Sequence, residues 1–374
     1  MKAPIYKILP VIVSLIVCGS SVGQNYLSGP LIWDNAEISI LMDPESKQRT
    51  SLINKADDCY EDSPIVITDK TKSFAPDMHY YCSIGPYWWP DPEHPGHYIN
   101  KDGQQNPEVK EYDNRRLNSM IDRCVLLSKA YYVTGEKRYY EAFVRQLKAW
   151  FLDRNTFMYP NFAYSQVVPG RNNNKGRSTG IIGAYCLNDL IESIRLVEMR
   201  KALPRKVKRG MQSWFGDFAR WADEGEFGPS LKKADNNVGL AYDVLLTNMY
   251  LFAGNEQRAK EIVDGFYKKR ILVQIKEDGS QPAELKRTKA FSYSLYNLAH
   301  IIDFCYLARY WYPKYYQDHS ERIDKAFSYL GQYVDNTDSF PFQQINGWES
   351  SLISYKNQKK RLEKREARVF REIK

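Results

Sequence analysis

From about Asn114 onward, apolar residues return at intervals of three and four with polar residues between them, the pattern of helices that bury one face. The clearest runs are 115–133, with Leu117, Met120, Ile121, Cys124, Leu127 and Tyr131 on one stripe, and 137–151, with Tyr140, Phe143, Leu147, Trp150 and Phe151. Gly135 between them supplies a helix stop, so the pair predicts a helical hairpin. The same periodicity predicts helices at 181–200, 206–223, 236–253, 256–270, 285–311 and 319–334. Strand-like alternation is confined to short stretches near 64–68 and 271–275. The fold class this implies is all-α, because such a succession of hairpins closes into a solenoid, a bundle or an α/α toroid.

Two stretches escape the helical period, 77–113 and 158–180, and both are rich in aromatic residues, Gly, Pro and Asn. Long irregular segments in a compact domain tend to carry function. No low-complexity linker divides the chain. The expected organisation is a signal peptide at 1–23, an irregular aromatic-rich N-terminal arm at 24–113, and a helical domain at 114–374 that forms one unit with the arm.

The first residues place Lys2 and Lys7 ahead of an apolar run from Ile8 to Val17, followed by Gly19, Ser20, Ser21 and Gly23. That is the layout of a secretory signal cleaved near Gly23/Gln24, so a periplasmic or secreted protein is expected. Cys18 offers a lipid anchor instead, which the bulky Val17 before it disfavours. No other run of about 20 apolar residues predicts a membrane span.

Composition narrows the chemistry. The chain holds 28 Tyr, 16 Phe and 8 Trp but only 5 His, which leaves little room for imidazole-rich metal sites. Cys59, Cys82, Cys124, Cys186 and Cys305 are widely spaced with no C-x-x-C pair, so no zinc site, metal or cofactor is signalled. A Cys59–Cys82 disulfide is an option in an oxidising compartment, while Cys124, Cys186 and Cys305 read as buried thiols. The net charge is +8, with much of it in the tail from Lys356 to Lys374, which is expected to be a solvated helix face. An exported protein with this field has nucleic acid as an improbable partner and acidic polysaccharide as a natural one.

Four segments carry candidate chemistry. Trp88 and Trp89 stand side by side in a proline-stiffened loop, where flat rings either stack on pyranose faces or plug the core. Tyr164, Gln166, Arg171 and Arg177 lie in a glycine-rich stretch whose guanidinium forks suit carboxylates, unless it is a plain surface loop. Asp235, Asn236, Asn237, Tyr242 and Asp243 open a helix, and capping accounts for one of these residues but not for both asparagines. Arg287 and Tyr293, six apart, project toward one side if their segment is helical.

The motifs GPYWWPDP, YxQxxPG, a GR-containing loop, NN-x-G-x-x-YD, and DGxQPxEL-x-RT followed by YS-x-x-NL run in this order from about Tyr80 to about Ala308. Together they resemble the alginate lyase family of polysaccharide lyases, in particular its helical-toroid branch acting on mannuronan or glucuronan. The resemblance implies an incomplete (α/α) toroid with an open cleft and β-elimination on 1,4-linked uronic acid polymers, alginate first and glucuronan second. It also implies Tyr293 as acid and base, Arg287 as the cation that eases its ionisation, and Asn237, with Gln166 and Arg177, as neutralisers of the uronate carboxylate. Tyr164, Trp88, Trp89, Tyr242, Asn236 and His79 would contact substrate.

One position departs from the pattern: after the paired asparagines the family typically carries histidine, and here stands Val238. Three readings follow. Tyr293 acts alone and only on groups that leave from one face; another histidine, His79 or His97, enters the cleft; or the chain binds polyuronate without cleaving it. Hydrolysis by an Asp235–Asp243 carboxylate pair is a weaker alternative, since both acids have structural roles at hand.

Overall fold

A computed structural model describes residues 29–33 and 35–363. The signal segment, Cys18 and the end of the basic tail lie outside them. Two helices the sequence pattern did not mark, α1 (Asn35–Met42) and α2 (Lys47–Asp57), occupy the arm. The helical body follows as α3 (Asp113–Thr134), α4 (Lys137–Phe151), α5 (Leu187–Glu198), α6 (Arg205–Glu224), α7 (Gly228–Lys233), α8 (Asn237–Ala253) and α9 (Glu256–Phe266). It is completed by a short turn α10 (Leu272–Gln274), then α11 (Pro282–Leu285), α12 (Ala290–Ala308), α13 (Tyr315–Gly331) and α14 (Trp348–Glu363).

The α3–α4 hairpin forms as expected, and Gly135 takes the left-handed conformation (φ 76°) that ends α3. Helix α8 has almost no polar side, and from Asn237 to Phe252 nearly every residue is buried. A helix apolar all round belongs in the interior. It packs on α6, α9 and α12, while α3 packs on α4 and α5, so paired helices surround a core in an incomplete α/α toroid. One large apolar cluster fills the space among α3 to α6 and the adjoining side of α8, and a second fills that among α8, α9, α12 and α13.

Several expectations need correction. The stretch near 64–68 leads into a 3₁₀ turn (Ile67–Asp69), and that near 271–275 is the end of a π-turn (Tyr267–Ile271) followed by α10, so neither is a strand. The helix expected at 285–311 is broken after Leu285, because Thr288 is drawn out of line to bond Asp102 and helical geometry resumes only at Ala290. Arg287 therefore sits in a non-helical link. Cys59 and Cys82 are free thiols. The described part of the tail is not wholly solvated, since Arg361 reaches inward to Asp303 (2.7 Å) and the Ile32 carbonyl (3.1 Å).

The two irregular stretches join each other. Strand β1 (Cys82–Ile84) pairs in parallel with β4 (Tyr164–Val167), in register Cys82 with Tyr164 and Ile84 with Val167. Strands β2 (Trp88–Pro90) and β3 (Tyr98–Asn100) form an antiparallel hairpin. Asp113, fully buried at the start of α3, accepts from the Lys70 ammonium (2.6 Å) and the Cys82 N–H (2.9 Å). That charged anchor fixes β1 on the helical body, and with it both loops. Among the described residues no helix is long and apolar enough to cross a membrane, and no group of His, Cys, Asp and Glu could hold a metal ion.

Candidate active site

Tyr293 lies in the first turn of α12, and its hydroxyl is 2.6 Å from that of Tyr87 in the loop between β1 and β2. The Arg287 guanidinium stands 3.8 Å from the centre of the Tyr293 ring, a cation over a π face. Arg287 is itself aimed by Asp102, donating from Nη2 (2.6 Å) and Nε (3.1 Å), and Thr288 holds the same carboxylate through its backbone N–H (3.2 Å). Sequence spacing thus found the right partners for the wrong reason: the pair meets because Asp102 pulls the link, not because both sit on one helical face.

Arg287 does pull the Tyr293 pKa down as expected, but it is outweighed. Burial, reinforced by the Tyr87 hydrogen bond, pushes the Tyr293 phenol above its ordinary pKa, and the opposing influence of Arg287 is smaller. Near neutral pH Tyr293 is therefore a neutral phenol, able to donate its proton.

On the other side of the Gly85–Trp88 loop lies a second group. Gly176 and Gly180 let their loop fold flat on β4, where a Cβ at either would fall within 2.4 and 2.7 Å of Ser165 backbone atoms. Arg177, next to Gly176, donates from Nη2 to the Gln166 side-chain oxygen (2.8 Å) and from Nε to its backbone carbonyl (3.2 Å). Thr179 donates to the same Gln166 oxygen (3.0 Å). Gln166 adopts a left-handed backbone (φ 55°), a strained state for a residue with a Cβ and one met often at functional sites. Among the described residues no carboxylate is within ion-pair distance of Arg177, and burial pulls its pKa below the usual arginine value. A half-buried cation facing only neutral acceptors is an incomplete pair.

Trp88 joins the halves. Its ring lies under Arg171 (4.5 Å) and Arg177 (5.6 Å), and close against Gly85. Trp89 bonds the Gln104 carbonyl through Nε1 (2.9 Å) with Lys101 over its ring (5.1 Å). Both tryptophans are half-buried in this loop region, and neither plugs the helical core.

Asn237 is 2% exposed, donating its backbone N–H (2.7 Å) and one Nδ2 hydrogen (2.8 Å) to the two oxygens of Glu284. Its second Nδ2 hydrogen is the only one left for a ligand. Burial raises the Glu284 carboxyl above its usual pKa against the pull of Asn237. Asn236 caps α8, accepting from the Val238 N–H (3.1 Å). The cap occupies only its side-chain oxygen, whereas Tyr242 is buried with its hydroxyl on Asp223 and does not face a ligand. Asp243 is locked by a two-point pair with Arg270 (2.7 and 3.0 Å), so no Asp235–Asp243 hydrolytic pair exists. Tyr164 is half-buried with its ring edge against Tyr80 (5.2 Å).

No histidine among the described residues touches Tyr293. His79 is tied through Nδ1 to the Phe157 carbonyl (2.6 Å) and packs on Phe157 and Tyr159. His97 is exposed between β2 and β3. His300 is sealed between Tyr185 and Tyr296, its pKa driven down to about 3 by burial. Tyr87, Asp102, Thr179 and Glu284 bond directly to candidate site residues although sequence reasoning gave them no role. Tyr87 and Glu284 stood inside quoted motifs, whereas nothing local marks Asp102 or Thr179.

The alginate lyase family profile matches residues 66–340. The chain belongs to the alginate lyase family. An alginate lyase from Bacteroides ovatus of known crystal structure is 34% identical, covering 90% of this chain and 92% of that one with a TM-score of 0.84. Alginate lyase A1-III from Sphingomonas species A1 is 14% identical over 84% of this chain and 81% of its own, with a TM-score of 0.51, a likeness of fold. No curated protein matches the chain. As an alginate lyase family member it is a polysaccharide lyase on the toroidal scaffold described above.

Proposed function

We propose that this lyase cleaves 1,4-linked uronic acid polymers by β-elimination, mannuronate-rich alginate first and glucuronan second, on chains it meets outside the cytoplasm. The observation that carries the reading is the presence, among the neighbours of one short loop, of a phenol flanked by a guanidinium and of an arginine with no carboxylate partner among the described residues. Elimination requires loss of the C5 proton, which is weakly acidic until the adjoining carboxylate charge is neutralised. Arg177, held by Gln166, and the spare Nδ2 hydrogen of Asn237 are the donors for that carboxylate and for the negative charge that spreads into it.

Tyr293 then handles protons at its hydroxyl. As phenolate it takes the C5 hydrogen, the C4–C5 double bond forms as the C4–O bond breaks, and the same hydroxyl returns the proton to the leaving oxygen. Arg287 stabilises the phenolate through the ring face, against the burial and the Tyr87 hydrogen bond that favour the neutral phenol. In β-mannuronate and β-glucuronate the C5 hydrogen and the C4 oxygen leave from the same face, which suits one residue serving as base and acid. Guluronate places them on opposite faces and needs a second group, where this chain has Val238. Trp88, Trp89 and Tyr164 are the sugar-contacting rings.

The test is incubation with mannuronan, glucuronan and guluronan, following ultraviolet absorbance of the new double bond together with reducing ends. Both signals rise on mannuronan and glucuronan and stay low on guluronan. Tyr293→Phe leaves only a residual trace of both, and a fully active Phe variant sinks the mechanism. Val238 also favours a second reading, a polyuronate-binding protein, which binding without either signal would establish.

A further inference from the structure

The family match ends at residue 340, yet the next residues run back onto the catalytic helix. Lys289 and Gln344 form an antiparallel bridge, with the Ala290 N–H donating to the Gln343 carbonyl (2.9 Å) and the Ile345 N–H to the Thr288 carbonyl (3.0 Å). The strap is thus laid along the link that holds Arg287 and Thr288 and along the start of α12. It also touches the far side of that link: a Cβ on Gly103 would meet both Thr288 and Ile345, within 2.5 and 3.2 Å.

Helix α12 has no capping side chain of its own, since Lys289 occupies the cap position without a hydrogen bond to the first turn. The first N–H groups of a helix need acceptors. Gln344 supplies one from a distance of more than 50 residues along the chain: its Oε1 accepts from the N–H groups of Phe291 (3.0 Å) and Ser292 (3.3 Å). Its Nε2 donates to the Ser292 hydroxyl (2.6 Å) and the Asn346 carbonyl (2.7 Å). Ser292 is in turn joined to Ser351 of α14 through their hydroxyls (2.7 Å). Both residues preceding Tyr293 are therefore fixed by one amide, and that amide is fully satisfied.

We propose that Gln344 is a positioning residue for Tyr293, a cap supplied by the C-terminal strap that sets where the phenol stands against Tyr87 and Arg287. This rests on the assignment of Tyr293 above. Gln344 touches no reacting atom, so its loss acts through the first turn of α12.

The experiment compares Gln344→Ala, Gln344→Glu, Tyr293→Phe and the Gln344→Ala/Tyr293→Phe double variant in the full chain, with mannuronan turnover and hydrogen exchange of the peptide spanning 288–296. The Ala variant exchanges faster at this peptide and loses about tenfold in kcat with KM within about twofold, a drop in keeping with a shift well under 1 Å at a reacting group. The Glu variant, which keeps an acceptor at the helix N-terminus, restores protection and brings kcat to within about threefold of the wild type. In the Tyr293→Phe background the Ala change adds no further loss to residual turnover. Faster exchange with wild-type kcat overturns the positioning role while leaving Tyr293 intact, as does a Glu variant as slow as Ala. A fully active Tyr293→Phe overturns the assignment of Tyr293 and the proposal with it.

Discussion

Arg177 offers the sharpest separation of fold from function. Arg177→Met keeps the length and apolar stem of the side chain and removes the guanidinium. It forfeits two hydrogen bonds to Gln166, at 2.8 and 3.2 Å, each worth a net ~1 kcal/mol. Against that, it removes a desolvated cation that has no carboxylate partner among the described residues and whose pKa burial already depresses. The terms offset, so stability changes by about 1 kcal/mol or less, about 2 °C in thermal midpoint for a chain of this size. Activity is expected to be affected very differently, because the donor proposed to meet the uronate carboxylate is gone. Loss of such a stabiliser costs about 2–4 kcal/mol of barrier, roughly 30- to 1,000-fold in kcat/KM. Calorimetric melting and double-bond absorbance on mannuronan read the two quantities on one preparation. Wild-type kcat/KM in the Met variant refutes the carboxylate role, and a fall of about 8 °C or more shows that Arg177 serves the fold.

Asp102→Asn breaks the charged grip on Arg287, so kcat on mannuronan falls about tenfold as the guanidinium loses its orientation over the Tyr293 ring; an unchanged kcat counts against Asp102. Glu284→Ala leaves the backbone N–H and Nδ2 of Asn237 buried without acceptors, costing about 2–5 kcal/mol in urea unfolding, and Glu284→Gln recovers part of it because one acceptor oxygen remains. Because Tyr293 must lose its proton to act as base and burial raises its pKa, kcat/KM rises about tenfold per pH unit through the neutral range. A profile flat from about pH 6 to 9 excludes a Tyr293 base in the free enzyme.

What was legible in the sequence follows how local its cause is. Helices α3, α4, α6 and α9 stand where apolar spacing put them, since a one-sided stripe and a glycine stop act within the segment. The break at Leu285 was not legible, because the force that makes it comes from Asp102, nearly two hundred residues upstream. Helices α1 and α2 escaped because their stripes are weak, α2 burying only Ala56 among its own residues. The site divides the same way. Arg177 with Gln166 and Arg287 with Tyr293, whose motifs run in family order, do stand as contacting pairs, while Tyr242 was over-read, since a buried phenol looks like a ligand in one dimension. The sign of the Tyr293 shift needed burial, which spacing does not report.

In the proposed mechanism, substrate choice turns on Val238. It is 8% exposed in the first turn of α8, next to Asn237, and no histidine among the described residues has moved in to replace what an imidazole there would do. A site with one proton-transferring phenol is confined to eliminations in which both groups leave from its side. Val238→His would reinstate a second proton carrier at a helix N-terminus, where the helix dipole favours the neutral ring and so a base. Placing a polar ring in this apolar position costs about 1–3 kcal/mol if it finds no partner, so melting must be checked alongside activity. The expected outcome is double-bond formation on guluronan where the natural chain gives none, with mannuronan turnover retained within about threefold. A folded Val238→His variant that still leaves guluronan untouched would show that specificity is set elsewhere in the cleft, and the same-face argument would fall.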